Sequence, residues 1–394
     1  MKVTHLCLLA RYRDGYTYQE NLLAKYHRVQ GYEVDVITSL RSFDDQGKPC
    51  SLKEPCVYDD RNGVHVVRLA YKSKKRIDQY LGRFEGLEEA LIDSKPDILF
   101  IHGCQTVSMR TVRDYACSHS QLCVYVDNHA DYSNSARNPI SKHLIHRLLW
   151  RHYAHVIEPV ATKFWGVTPG RVDFLIDNYS LPKSKCDLLV MGADDEVILE
   201  TDNAKTRENT RETFDIGTDD FLIVTGGRID AVKTQVLDLM SCVGRMENNV
   251  RLIVFGPVDK EIKQRFMDLV DGNKVQYLPW ADSHSAYELF AAADLVAFPG
   301  RHSVYWEQAV GMGRPLLVKR WTGTTHVDLG GNVAFIEEDS AEELCSHLTL
   351  LSQRGEAYTH MLDAARSEDR KQFWYSHIAQ RAIGGGDANE EDIS

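Results

Sequence analysis

Phe298-Pro-Gly-Arg-His-Ser-Val-Tyr-Trp-Glu-Gln-Ala-Val-Gly-Met-Gly-Arg-Pro-Leu-Leu-Val318 decides the fold of this chain. A short apolar run ends at Pro299, and a polar loop containing Gly300 follows. The spacing predicts a helix from near Ser303, with Glu307 one turn inside it and Gly311 and Gly313 at its close. Pro315 then opens a second apolar run. Strand, loop, helix and strand in that order aim backbone N–H groups and one carboxylate at the carboxyl edge of a parallel sheet. Such an edge suits a phosphate and a ribose.

The same alternation extends in both directions. In the first half, strands are predicted at 3–10, 33–38, 64–69, 97–102 and 122–126, and helices at 17–30, 77–94, 106–117 and 141–157. The pattern lapses over 191–218, where 192–196 and the polar run 201–213 read as a linker. A second series follows. Its strands are 221–224, 251–255, 275–277, 295–298 and 316–318, with helices near 232–246, 260–270, 286–292 and 304–311. Two helices, 341–352 and 357–366, come after it. Helices of this length between strands imply parallel sheets covered on both faces.

The fold class is therefore α/β, with two Rossmann-like domains whose parallel sheets face a central cleft. The domains are 1–190, a linker over 191–218, and 219–366. Residues 367–394 form a terminal helix returning toward the first domain and a Gly-rich, acidic, disordered tail. A length of 394 residues suits two cores rather than one. The formal charge of −11 argues against a nucleic-acid partner. No run of eighteen apolar residues occurs, and the first ten residues read as a strand rather than a signal peptide. The nine cysteines show no zinc spacing and read as reduced thiols in a cytoplasmic protein. Charge is uneven, however. Between Arg137 and Arg171 stand six Lys or Arg and four His against the single acid Glu158, which suits peripheral contact with anionic lipid at the inner membrane face.

Four pieces of sequence carry a family resemblance. They are Thr225-Gly-Gly-Arg-Ile-Asp-Ala-Val-Lys233, the segment 298–318, Trp165-Gly-Val-Thr168 taken with Leu188-Leu-Val-Met-Gly-Ala-Asp194, and Tyr125-Val-Asp-Asn-His129. In this order and spacing they resemble the retaining GT-B glycosyltransferases of the family 4 type. The resemblance implies that 1–190 binds an acceptor and 219–366 binds a nucleotide sugar. It also implies transfer of a hexosyl or N-acetylhexosaminyl group, UDP-linked, to a hydroxyl of a saccharide or lipid-linked glycan. The acceptor would attack from the leaving-group face, and the departing phosphate would take its proton.

Roles follow residue by residue. Gly227 permits a sharp turn beside a ligand. Arg228 and Lys233 then form a cationic clamp on the diphosphate, where charge grows in the transition state. Glu307 is implied to accept from the ribose hydroxyls, with Ser303 and Val304 offering N–H groups to the β-phosphate. The family's first Glu of this motif is missing, and His302 is the candidate replacement near the donor sugar. His129 is implied to lie close to that sugar. Gly15 would approach the donor, while Tyr16, Asp127 and Asp131 would meet the acceptor. The chain has no Asp-x-Asp, so no metal-bridged diphosphate and no obligatory metal or other cofactor are expected. The first βα loop has only Gly15 and no G-x-G-x-x-G, which argues against a dehydrogenase. Two rivals share the fold: a non-catalytic nucleotide-binding scaffold and a sugar-nucleotide epimerase.

Overall fold

A computed structural model describes residues 1–44, 47–132, 135, 141–231, 234–246, 249–338 and 340–385, with the side chains of 141–144 outside that set. The chain divides into two compact units, Met1–Val190 with Tyr375–Ser394, and Met191–Trp374.

The strands of unit 1 are β1 (Lys2–Cys7), β2 (Glu33–Ser39), β3 (Arg41–Phe43), β4 (Pro49–Ser51), β5 (Cys56–Asp59), β6 (His65–Leu69), β7 (Ile98–His102), β8 (Cys123–Asn128), β9 (Lys163–Gly166) and β10 (Cys186–Leu188). Eight of them form one sheet in the order β10-β9-β8-β7-β1-β2-β6-β5, and β3 pairs with β4 alone. Every pairing in the large sheet is parallel except β5 with β6. A central parallel strand is covered on both faces, so its sequence is apolar throughout rather than alternating. Ile-Leu-Phe-Ile of β7 illustrates this, with all four residues buried. β1 pairs with both β2 and β7, which makes the β1/β7 junction the switch point of unit 1.

Unit 2 contains β11 (Phe221–Gly226), β12 (Val250–Phe255), β13 (Val275–Leu278), β14 (Leu295–Phe298), β15 (Leu316–Lys319) and β16 (Val333–Ile336). Their order is β13-β12-β11-β14-β15-β16, all parallel. The switch point lies between β11 and β14. The α/β class and the two parallel sheets agree with the sequence reading.

Several local expectations need correction. The supposed linker holds two helices, Asp195–Thr201 and Ala204–Thr213, and both belong to unit 2. Asn203 caps the second by accepting from the Thr206 N–H at 2.9 Å. Its inward positions include Arg211, which is only 5% exposed, so the helix has little apolar stripe to read. The helix expected over 77–94 is two helices, Arg76–Leu81 and Leu87–Ser94, separated by left-handed Gly82 and Gly86. The span 141–157 is helical, but Ser141–Trp150 has the wider π winding before Arg151–Ile157 becomes α. That winding turns His146 and Trp150 inward and leaves Leu148 at 62% exposure, whereas α spacing would bury Leu148. Cys242 and Cys345 form a disulfide between the helices Gln235–Arg245 and Ala341–Ser352, against the reading of uniformly reduced thiols. They lie 103 residues apart, so no local spacing announced the pair. Helix Tyr375–Ala382 packs on helix Gln19–Val29 in unit 1. Among the described residues no helix is long and apolar enough to cross a membrane. The expected disordered tail lies, from 386 onward, outside the described residues.

Candidate functional site

In unit 2 the loops after β11 and β14 meet at the switch point. Gly227 has φ +91°, and a Cβ there would come within 3.3 Å of the Tyr305 ring. Its N–H donates to the Phe255 carbonyl at 3.0 Å, and Ile229 N–H donates to Pro257 at 3.0 Å, so the turn runs beside the end of β12. Gly256 completes this close approach, since a Cβ on it would lie 2.4 Å from the Gly227 carbonyl oxygen. The turn carries Arg228 outward. Its side chain is 69% exposed and pairs with Asp259 at 3.0 Å, which raises the guanidinium pKa further. Lys233, the other expected clamp residue, lies outside the described residues.

The helix after β14 runs Tyr305–Gly311, with Val304 rather than Ser303 at the cap position. Ser303 and Val304 are partly exposed just before it. Glu307 points the other way. It is 0% exposed, and its Oε1 accepts from His302 Nε2–H at 2.7 Å and from His326 Nε2–H at 2.9 Å. Burial opposes its charge, but the two imidazoles outweigh that and hold the carboxyl well below the usual carboxylate range. Glu307 Oε2 and His326 Nδ1 have no hydrogen-bond partner among the described residues. Glu307 Oε1 is therefore engaged by the two imidazoles, and His302 is held against it rather than turned outward. The donor atoms of His302, Glu307 and His326 lie within 4.8 Å of one another, so these three residues could hold a metal ion. The sequence reading missed His326, since nothing local ties the loop after β15 to this helix.

In unit 1 a cavity of about 680 Å³ opens at the β1/β7 switch point. Glu20, His102, Gln105 and His129 supply polar walls, with Tyr80 and Trp150 beside them. Gln105 is fixed by donating to Asn128 Oδ1 at 3.0 Å and to the Tyr179 hydroxyl at 3.2 Å. That hydroxyl also lies within hydrogen-bond distance of His146 Nδ1, at 2.9 Å. Burial keeps the His146 pKa below the ordinary imidazole range.

Beneath the cavity lies a chain of buried histidines. His27 Nε2 is 2.7 Å from the Ala379 carbonyl, and His27 Nδ1 is 3.0 Å from His5 Nε2. His5 Nδ1 is 3.0 Å from His102 Nε2, and His102 Nδ1 is 2.8 Å from Asp127 Oδ2. The two ends fix every proton. A carbonyl only accepts, so His27 donates from Nε2 and, while neutral, accepts at Nδ1. His5 must then donate from Nε2 and accept at Nδ1, and His102 must donate from Nε2. A carboxylate also only accepts, so His102 donates from Nδ1 as well. His102 is therefore an imidazolium, ion-paired with Asp127. The titration behaviour agrees. Burial, aided by the neighbouring imidazoles, lowers His5 well below its ordinary value, and burial brings His27 down to about 4. Burial also works against charge on His102, yet Cys7 and Asp127 raise it well above the imidazole range. His129 lies 3.4 Å from the same Asp127 oxygen, with its side chain 37% exposed at the cavity.

Three expected site residues lie elsewhere. Gly15 sits against the Arg61 guanidinium, where a Cβ would approach to 3.2 Å. Tyr16 stacks on Phe43 at 5.2 Å. Asp131 pairs with Arg171 at 3.0 Å. None of the three lines the cavity. Asp127 is brought to the site but is fully buried beneath it.

No protein-family model matches the sequence, and no curated protein matches it. Solved structures do resemble it over nearly its whole length. A glycosyltransferase from Rickettsia africae aligns with TM-score 0.68 and 13% identity over 96% of both chains. Anabaena HepE in complex with UDP aligns with TM-score 0.66 and 14% identity over 97% of this chain and 98% of that one. The sucrose-phosphate synthase of Thermosynechococcus elongatus aligns with TM-score 0.65 and 13% identity over 96% of both. Likeness at this level of identity establishes the fold, the GT-B fold of these glycosyltransferases.

Proposed function

We propose that this protein is a glycosyltransferase that moves a sugar from a UDP-linked donor to a hydroxyl of a saccharide or lipid-linked acceptor, with retention at the anomeric carbon. The observation that carries this reading is the positive-φ turn at Gly227, packed beside Tyr305, which carries Arg228 outward at the switch point of unit 2. HepE, which shares the fold, was solved with UDP. In this reading the diphosphate lies against Gly227 and the N–H groups of Ser303 and Val304. Arg228 leaves Asp259 to meet the β-phosphate, and Lys233 joins it. Cations placed where leaving-group charge grows lower the barrier. Glu307 acts through His302 rather than on the ribose directly. By the family resemblance His129 is assigned to the donor sugar, and the unit 1 cavity with Glu20 and Gln105 to the acceptor. The departing phosphate accepts the acceptor's proton, so neither a protein base nor a bridging metal is assigned.

The test is direct. UDP binding by calorimetry and sugar transfer by chromatography are compared for the wild type, Arg228→Ala and Lys233→Ala. Loss of transfer by at least about a hundredfold is expected, as for removal of one preorganised transition-state donor. Variants that transfer at the wild-type rate would sink the site assignment. A non-catalytic nucleotide-binding subunit is the second reading, favoured by the two imidazoles that engage Glu307 Oε1. It requires UDP binding without transfer across a panel of donors and acceptors. Peripheral lipid contact through exposed Arg147 and Leu148 remains part of the proposal, and pelleting with anionic vesicles would check it.

A further inference from the structure

Unit 2 has another polar cavity, at the edge where its strands begin rather than end. It measures about 460 Å³. Its charged lining is Arg207, Arg314, Arg354 and Arg366 against only Asp202 and Asp294. Asp294 immediately precedes β14, and Arg314 stands two residues before β15, so the cavity lies on the opposite sheet edge from Gly227 and Arg228.

The two carboxylates are already shared. Asp294 accepts from Arg207 at 2.6 Å, from Arg354 at 3.1 Å and from Arg211 behind them at 3.4 Å. Asp202 pairs with Arg314. One aspartate thus answers three guanidinium groups, while Arg366, on the exposed rim, has no ion pair among the described residues. Arg314 is 7% exposed, and its Nε–H has no hydrogen-bond partner among the described residues. A guanidinium cannot lower this cost by losing its proton. The cavity also meets the start of the ten-residue helix Ala204–Thr213, since Asn203 and Ala204 line it. The Asn203 side chain takes the Thr206 N–H, and the N–H groups of Ala204 and Lys205 have no acceptor within the helix. The positive end of the helix dipole therefore adds to an arginine excess, in a chain whose total charge is −11.

We propose that this cavity is a binding site for a phosphoryl group, carried either by inorganic phosphate or by a small phosphorylated metabolite. Fork-shaped guanidinium donors match the tetrahedral oxygens of a phosphate, and helix N–H groups complete such a site. Tyr358 and Leu362 line the same space and leave room for a body attached to the phosphate. The site is separate from the donor edge and does not depend on the proposed transfer reaction.

The experiment is thermal-shift and calorimetric titration of the full chain at constant ionic strength. Inorganic phosphate and glucose 6-phosphate are the two probes, with saturating UDP present throughout. A saturable rise in Tm is expected for at least one probe. Arg366→Gln on the exposed rim should weaken that probe by about tenfold, as loss of one charged phosphate contact does, and leave UDP affinity unchanged. Saturation by both probes identifies the free ion as sufficient, and saturation by glucose 6-phosphate alone identifies a phosphorylated metabolite. The proposal is overturned if neither probe saturates, if Arg366→Gln and Arg366→Glu bind as the wild type does, or if the response is lost in Arg228→Ala instead.

Discussion

Asp127 in unit 1 and Glu307 in unit 2 make a natural pair. Both are 0% exposed, and each faces two imidazoles near the carboxyl end of a central strand. They differ in how the buried charge is compensated. In unit 1 a chain of donors and acceptors, closed at the Ala379 carbonyl, obliges His102 to carry both protons. Asp127 is therefore matched by a full cation. In unit 2 no such chain exists among the described residues, and His302 and His326 each need only one N–H to satisfy Glu307 Oε1. The same residue types give an imidazolium fixed by its hydrogen-bond chain in one place and, in the other, a carboxylate that takes one N–H from each of two imidazoles. What lies beyond the imidazole decides which.

The largest expected effect tests that difference. Asp127→Asn leaves the His102 imidazolium buried without its counter-charge, and breaking such a pair costs about 3–5 kcal/mol. Glu307→Gln keeps an oxygen that accepts from both imidazoles and removes a buried anion. It should cost only the difference between charged and neutral hydrogen bonds, about 1–2 kcal/mol. Urea denaturation of the two variants measures this, and a larger loss for Glu307→Gln would break the comparison.

A smaller effect concerns pH. His27 titrates at about 4 in the fold, while an unfolded imidazole titrates near 6.5. Between those values the unfolded chain binds more protons, so stability falls as pH drops through that window, by up to about 1.4 kcal/mol per pH unit. His5, also lowered, acts in the same direction. His102 has the opposite sign. Its raised pKa gives stability that is complete below about 6.5 and is lost as pH rises through the folded value. Asp127 contributes above its unfolded value near 3.9, and its contribution is lost only in stronger acid, as pH falls through the depressed folded value. His27→Gln preserves the direction of the chain, donating to Ala379 and accepting from His5. It should flatten the acid limb between about 6.5 and 4. An unchanged limb would show that the chain does not titrate as drawn.

The sequence disclosed these features unevenly. β14 and helix Ala341–Ser352 were legible to the residue, because apolar period and flanking breakers agree there. Helix Ala204–Thr213 was not, because its inward positions are Thr206, Arg207, Thr210 and Arg211 rather than leucines. Arg207 reaches the carbonyls of 291–293, and Arg211 reaches those of Ala292, Gly217 and Asp220. A hydrophobic period cannot report a face held by guanidinium groups. The turn at Gly227 was legible, because a glycine pair after a buried strand marks a sharp bend. The histidine chain was not. His5, His27 and His102 come from three separate elements, and only the sheet order brings them together. Tyr16 and Asp131 were assigned from their places in the loops after β1 and β8, and the fold sets them against Phe43 and Arg171.

The smallest stability effects are expected at the unit 2 edge, where binding rather than folding should respond. Gly227 adopts φ +91°, which an alanine tolerates poorly, and the added Cβ would press on Tyr305 at 3.3 Å. The left-handed conformation costs roughly 1–2 kcal/mol for a residue with a Cβ. The strain falls on the one turn that places Arg228, so Gly227→Ala should lose UDP affinity while unfolding only slightly earlier in urea. Arg228→Gln separates the two contributions. Its side chain is largely exposed and holds only the surface partner Asp259, so the unfolding midpoint should not move. If the turn serves the nucleotide, both variants lose UDP affinity, and only Gly227→Ala shifts the midpoint. If Gly227→Ala shifts the midpoint and neither variant changes UDP binding, the turn is a packing feature of β11 and β12. The contrast with unit 1 would then be one of stability alone.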